Sequence, residues 1–371
     1  MMNYLGLNQK QADDVHAIHT TREITQQPQT WLAVAEHLAT LPALQDFLQA
    51  RLSTPALRII LTGAGTSAYV GDVLADYLSD KLARRVEAIA TTDLVSHPAR
   101  YFADKSPTLL VSFARSGNSP ESVAALTLAE LCHSDLYHLS FSCNANGALH
   151  HAVAQRANGF AVLMPEATLD KSFAMTSSFT TMLVACLQAF SPDQQQLSAV
   201  ANATARLICE EANALQALAE VPFSRVVFLG SGALKGFAQE AALKYLELSA
   251  GQIWSSFETP LGFRHGPKSM INKETLVVLL QSSDEYAARY DLDLQRELAR
   301  DGKAHVIALS QAQFMTDLNA LDDVWLGLIY IVYCQILACF KAISLGISPD
   351  NPCPSGEVNR VVQGVIIHPL Q

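Results

Sequence analysis

Glu240, Lys244 and Glu247 recur at i, i+4 and i+7 within Glu240-Ala241-Ala242-Leu243-Lys244-Tyr245-Leu246-Glu247. On a helix, that spacing places all three on one face. The plainest reading is a solvated salt-bridge ladder, which is weak in energy. The intervening residues argue otherwise: they are small or apolar, so much of the helix must be buried. A charged stripe on a buried helix lines a cleft, where paired carboxylates can move a proton. Downstream, Gly262-Phe263-Arg264-His265-Gly266-Pro267-Lys268 reads as a loop. Glycine on either side of Phe263-Arg264-His265 suggests a constrained backbone that presents the imidazole. Histidine is the side chain best suited to proton transfer near neutral pH. A structural histidine is the default reading for the other ten.

Two further segments suit an anion. Gly63-Ala64-Gly65-Thr66-Ser67 follows an apolar run and opens a helix. Free amides at a helix start bind anions, glycine permits close approach, and the Thr66 and Ser67 hydroxyls add donors. A dinucleotide fingerprint would require a third glycine where Ala68 stands, so that reading is weak. The second segment, Arg115-Ser116-Gly117-Asn118-Ser119-Pro120-Glu121-Ser122, also lies between an apolar run and a helix. It offers Ser116, Ser119 and Ser122, with Gly117 for an unusual backbone angle. Simple helix capping by Ser119 is the alternative. Two hydroxyl-rich turns at the carboxyl ends of neighbouring parallel strands suit a phosphomonoester.

The elements that carry these residues occur twice. Ile59 to Ser67 matches Val226 to Leu234, and Leu109 to Ser116 matches Leu276 to Ser283, both pairs 167 residues apart. A duplicated domain is the simplest account. The copies differ at their turns: Ser116 is matched by Ser283, but Gly117 by Asp284, whose carboxylate would repel a phosphate. One phosphate-binding half and one adapted half are expected. Strands are predicted at 57–62, 108–113, 136–142 and 160–164, with helices at 67–81, 119–132 and 176–189 between them. A helical connector over 193–219 leads to strands near 225–229, 275–280 and 304–309. Strands alternating with helices imply parallel sheets covered on both faces. The expected fold is α/β: two tandem doubly wound, flavodoxin-like three-layer domains at 51–195 and 205–371. An N-terminal helical segment covers 1–50, and a Pro- and Gly-set loop forms the C-terminal tail of the second domain.

Half of the 371 residues are apolar and 16% are charged, which fits a globular chain with two cores. The formal charge of −10 argues against a nucleic-acid partner. The seven cysteines form no CxxC pair and read as reduced core thiols of a cytoplasmic protein. No clustered Cys or His suggests a metal. Met1-Met2-Asn3-Tyr4 lacks the basic and apolar regions of a signal peptide. The uncharged run from Trp325 to Phe340 falls short of the ~20 residues needed to cross a bilayer, so it reads as a buried helix and no membrane partner is expected. Asp322, Asp323 and Lys341 suit the ends of its dipole.

In order and spacing these motifs resemble the sugar isomerase family, which is built on tandem SIS domains. The matching segments are Gly63 to Ser67, Ser116 to Ser119, Glu240 to Glu247 and Arg264 to Pro267. Thr259 to Lys268, Tyr290 to Leu294 and Val358 to Val365 look like the branch that handles galactosamine 6-phosphate and tagatose 6-phosphate. The resemblance implies roles. Glu247 matches the family's base, which shuttles a proton between C1 and C2. His265 matches the group that opens the sugar ring, donated across a dimer interface. Lys244 and Glu240 match charged partners around the reacting carbons. Thr66, Ser67, Ser116 and Ser119 fall where the family grips the phosphate, and Gly65, Arg115, Gly117 and the tail residue Asn359 complete the substrate-binding candidates. Glucosamine-6-phosphate synthase, a relative in this family, differs in two ways. It carries a glutaminase domain for which this chain has no room. It also has a Schiff-base lysine where Asn359 stands. Glutamine-driven amination is therefore not expected.

What the resemblance implies is deamination with isomerisation of an amino-hexose 6-phosphate by a homodimer or higher homo-oligomer, without metal or organic cofactor. A glutamate base needs its pKa raised toward neutrality, which partial burial favours and Lys244 opposes. A plain ketose–aldose isomerase with the same base is one rival. A non-catalytic sugar-phosphate sensor is the other, although the first 50 residues read as too short and too acidic for a DNA-binding module.

Overall fold

Residues 4–315 and 321–370 of the computed structural model are described; Met1, Met2 and Asn3, part of the N-terminal reading, lie outside them. Nine strands lie among the described residues: β1 (Arg58–Thr62), β2 (Val86–Ala88), β3 (Thr108–Ala114), β4 (Leu136–Ser142), β5 (Gly159–Leu163), β6 (Arg225–Leu229), β7 (Trp254–Glu258), β8 (Thr275–Leu280) and β9 (His305–Leu309). They form two sheets, ordered β2-β1-β3-β4-β5 and β7-β6-β8-β9, and every pairing is parallel. The first order is that of a doubly wound flavodoxin-like sheet, with its switch point between β1 and β3. The central strands β1, β3 and β8 are buried at every residue, as continuous apolar runs in a covered parallel sheet should be.

The predicted strands fall where expected, and two edge strands are additional. β2 has three residues, and β7 reads Trp-Ser-Ser-Phe-Glu with no fully buried position. Neither has the apolar run that marks a central strand.

The chain packs as two compact units. The β1–β5 unit comprises Gln29–Asp170, Ser177–Asp193 and the tail from Gly356. The β6–β9 unit comprises the N-terminal segment through Pro28, Lys171–Thr176 and Gln194–Ser355. This differs from the expected boundaries in three places, the first being Lys171–Thr176, which falls inside the expected first domain yet packs with the β6–β9 unit. The N-terminal helices are shared. Asp350 accepts bonds from the His19 and Thr20 amides, at 3.0 and 2.7 Å, and ties the Ile18–Thr25 helix into the β6–β9 unit. Trp31 donates its indole N–H to Thr180 inside the β1–β5 unit, at 2.9 Å. The tail, assigned from sequence to the second domain, packs with the first. Arg115 donates to the Arg360 carbonyl at 2.6 Å, and the Arg360 guanidinium donates to the Asp170 carbonyl.

The apolar helix is longer than its uncharged run suggests. It spans Asp323–Ser344, 22 residues, which reaches bilayer-crossing length, yet it is buried along nearly its whole course within the β6–β9 unit. It carries Gly327 where the Ala233–Leu248 helix crosses it: a Cβ there would lie 2.1 Å from the Phe237 ring. Only glycine permits so close a crossing. Phe237 lies on the charged helix three residues before Glu240, so this close crossing anchors the helix that carries Glu240, Lys244 and Glu247. The ends of the apolar helix do more than complement a dipole. Lys341 donates to the Ala219 and Val221 carbonyls at 3.0 and 3.1 Å, and burial lowers its pKa.

Candidate active site

The β1–β5 unit carries the hydroxyl-rich turns. Thr62 at the end of β1 pairs with Ser112 near the end of β3, so the two turns leave neighbouring strands at the switch point. Gly65 has φ 56° and ψ −131° and stands just before the Thr66–Leu82 helix. Its counterpart Gly232 has φ 55° and ψ −132° before Ala233–Leu248, so the duplication extends to the backbone angles. Glycine is required at both, because this backbone region is barred to other residues. Thr66 and Ser67 are buried in the first helical turn. At the matching positions the second copy has Ala233 and Leu234 and has lost both hydroxyls.

In the second turn Gly117 has φ 65°. Ser119 caps the Pro120–Cys132 helix: its hydroxyl lies 3.3 Å from the Ser122 amide and 2.7 Å from the Ser122 hydroxyl. The capping alternative is thus realised, in the same turn as half-buried Ser116. Two residues absent from the sequence reading hold the turn in shape. Asn144 donates to the Ser116 carbonyl at 2.8 Å, and a Cβ on Gly147 would lie 2.7 Å from that oxygen. The turn-forming run Asn144-Ala145-Asn146-Gly147 was the available signal. Arg115, beside Ser116, is buried and directed at the tail carbonyl of Arg360, and neighbouring Asn359 is exposed.

The β6–β9 unit carries the charged helix. Glu240 and Lys244 have no exposed side-chain surface, and Glu247 keeps 24%. The Lys244 ammonium lies 2.5 Å from Glu247 and 3.4 Å from Glu240. Burial of an ammonium is tolerable only with such compensation. The face is therefore no solvated ladder. It ends in one carboxylate that reaches the surface, oriented by a buried cation. His265 is brought to the surface by a short turn: the Thr259 hydroxyl accepts from the Gly262 amide at 3.0 Å, and the His265 amide donates to the Gly262 carbonyl at 2.9 Å.

The second copy of the serine turn is closed by the chain itself. Asp323 accepts from the Ser282 hydroxyl at 2.6 Å, from the Ser283 amide at 2.8 Å and from the Ser283 hydroxyl at 2.9 Å. Asp291 accepts from the Ser282 amide at 2.9 Å, and burial pushes its pKa up to about 6. Asp284 caps the Glu285–Asp301 helix. Donors that could face an anion here face carboxylates. No group of His, Cys, Asp and Glu that could hold a metal occurs among the described residues.

The SIS domain model matches residues 222–328, in the second α/β half. Over 369 residues the chain is 49% identical to D-galactosamine-6-phosphate deaminase AgaS of Shewanella sp. (strain ANA-3), covering 99% of this chain and 96% of the relative. The crystal structure of tagatose-6-phosphate ketose/aldose isomerase from Escherichia coli superposes with a TM-score of 0.86 at 40% identity, covering 95% of this chain and 97% of that one. A structure from Clostridium novyi NT gives 0.93 at 41% identity over the whole of both chains. The chain belongs to the SIS family of sugar-phosphate enzymes, in the group that contains these deaminases and isomerases.

Proposed function

We propose that this chain converts D-galactosamine 6-phosphate and water to D-tagatose 6-phosphate and ammonia. His265 assists ring opening: a proton leaves the C1 hydroxyl and one reaches the ring oxygen as the C1–O5 bond breaks. Glu247 then takes the C2 proton of the open aldehyde while the aldehyde oxygen gains one, giving an enolamine. Return of the proton to C1 leaves an imine at C2. Water adds to that carbon, and ammonia leaves with the C2–N electron pair. Lys244 orients the Glu247 carboxylate, and Glu240 balances its buried charge. Thr66, Ser67, Ser116 and Ser119, with the Gly65 and Gly117 backbone, hold the phosphate and so fix the sugar for reaction. The observation that carries this reading is the helix face on which Glu247, partly exposed, is hydrogen-bonded to the fully buried Lys244. The 49% identical relative supports the amino-sugar substrate.

The E. coli isomerase supports a second reading, ketose–aldose isomerisation without loss of nitrogen. An ammonia-release assay on a panel of hexosamine 6-phosphates, with N-acetylated controls, separates the two. Release from galactosamine 6-phosphate is expected. Turnover of tagatose 6-phosphate with no ammonia from any amino sugar would leave the isomerase. Glu247→Gln should lower kcat about a hundredfold or more while sugar-phosphate binding survives. Unchanged turnover in that variant would remove Glu247 from the chemistry. We also propose a homo-oligomer, supported by exposed Leu246, Trp254 and Leu261, and a cytoplasmic location, supported by seven cysteines in thiol form.

A further inference from the structure

His265 is exposed, and among the described residues no group hydrogen-bonds its imidazole. Its position is therefore set by the backbone that carries it. That backbone has two cationic anchors, one on each side of the histidine. Arg264 donates through Nε to Glu297 at 2.9 Å. Lys268 donates to the other oxygen of Glu297 and to Asp301 at 2.6 Å. Both acids lie on the Glu285–Asp301 helix, whose Leu294 and Leu298 pack in one core with Phe263. The hydrogen bonds from Lys268 hold Glu297 and Asp301 below the usual carboxylate range, and they push Lys268 up. The cluster stays ionised through neutral pH. An isolated exposed pair would contribute little. Here one carboxylate joins both flanks of a five-residue loop to a helix.

We infer that Glu297 is a positioning residue for His265: by gripping Arg264 and Lys268 together it holds the loop so that the imidazole meets the sugar in one orientation. The inference rests on the ring-opening role proposed for His265. It makes no demand on Glu297 as an acid or base.

The test is a double-mutant cycle on galactosamine 6-phosphate turnover in the full-length protein, with Glu297→Gln, His265→Ala and both together. Glu297→Gln alone should lower kcat by about ten- to a hundredfold, with KM changed by less than about twofold. Its melting curve should stay cooperative. On the His265→Ala background the same change should alter kcat by less than about twofold. Lys268→Met releases the loop from the other flank and should follow the same pattern, which covers failure of Glu297→Gln to fold. An equal loss from Glu297→Gln with and without His265, or full activity in Glu297→Gln while His265→Ala is impaired, would overturn the positioning role alone. Full activity in His265→Ala would overturn the ring-opening role, and this inference with it.

Discussion

Lys244 shows how far one side chain can be committed. It is wholly buried and touches two carboxylates on its own helix. A buried charge that loses its counter-ion is costly, whereas a buried pair replaced as a unit is not. Lys244→Met should therefore destabilise the fold by about 3–5 kcal/mol, because Glu240 stays buried without this cation. Lys244→Met with Glu240→Gln should recover most of that loss. Urea denaturation midpoints of the two variants measure the difference, and equal midpoints would sink the argument. The sequence announced these three residues through their spacing, and the small residues between them announced burial. It did not show that Glu247 would be the one at the surface. Nor did it reveal Arg115 as an anchor for the tail, because its partner is a main-chain carbonyl, which leaves no mark in the side-chain pattern.

Among the elements, the turn between β8 and the Glu285–Asp301 helix makes the clearest pH prediction. Asp291 has a folded pKa near 6 against 3.8 for an ordinary aspartate. The folded state binds a proton that the unfolded state releases between those values. The stabilisation is complete below the lower one and is lost as pH rises through the higher. Asp291→Asn should thus stabilise the protein at about pH 8 and have little effect at about pH 4. Parallel pH dependences of unfolding for variant and wild type would contradict this. The central strands were legible because they are unbroken apolar runs such as Leu109-Leu110-Val111. β2 and β7 were not, since β2 has three residues and β7, Trp-Ser-Ser-Phe-Glu, is interrupted by polar side chains. The role of Asp323 was equally hidden. An acid at the start of a helix reads as a dipole complement, and its bonds to Ser282 and Ser283 come from distant sequence.

For the whole molecule, duplication does not mean two equivalent binding sites. The β1–β5 unit keeps Thr66, Ser67 and Ser116, whereas the β6–β9 unit has Ala233, Leu234 and a turn filled by Asp323. Titration with a non-reactive sugar phosphate should give one equivalent per chain. Ser116→Ala should weaken that binding and Ser283→Ala should leave it unchanged. A stoichiometry of two would show that the second turn opens to ligand.

The moored tail has an effect on vulnerability. Val358, Val362 and Ile366 are exposed on a segment without helix or strand, the kind of stretch that proteases cut. Cleavage just before Arg360 would strip Arg115 of an acceptor one residue away from Ser116. Trimming the last dozen residues could thereby dull phosphate recognition while every serine remained in place, and ageing samples would lose affinity before they lost their fold.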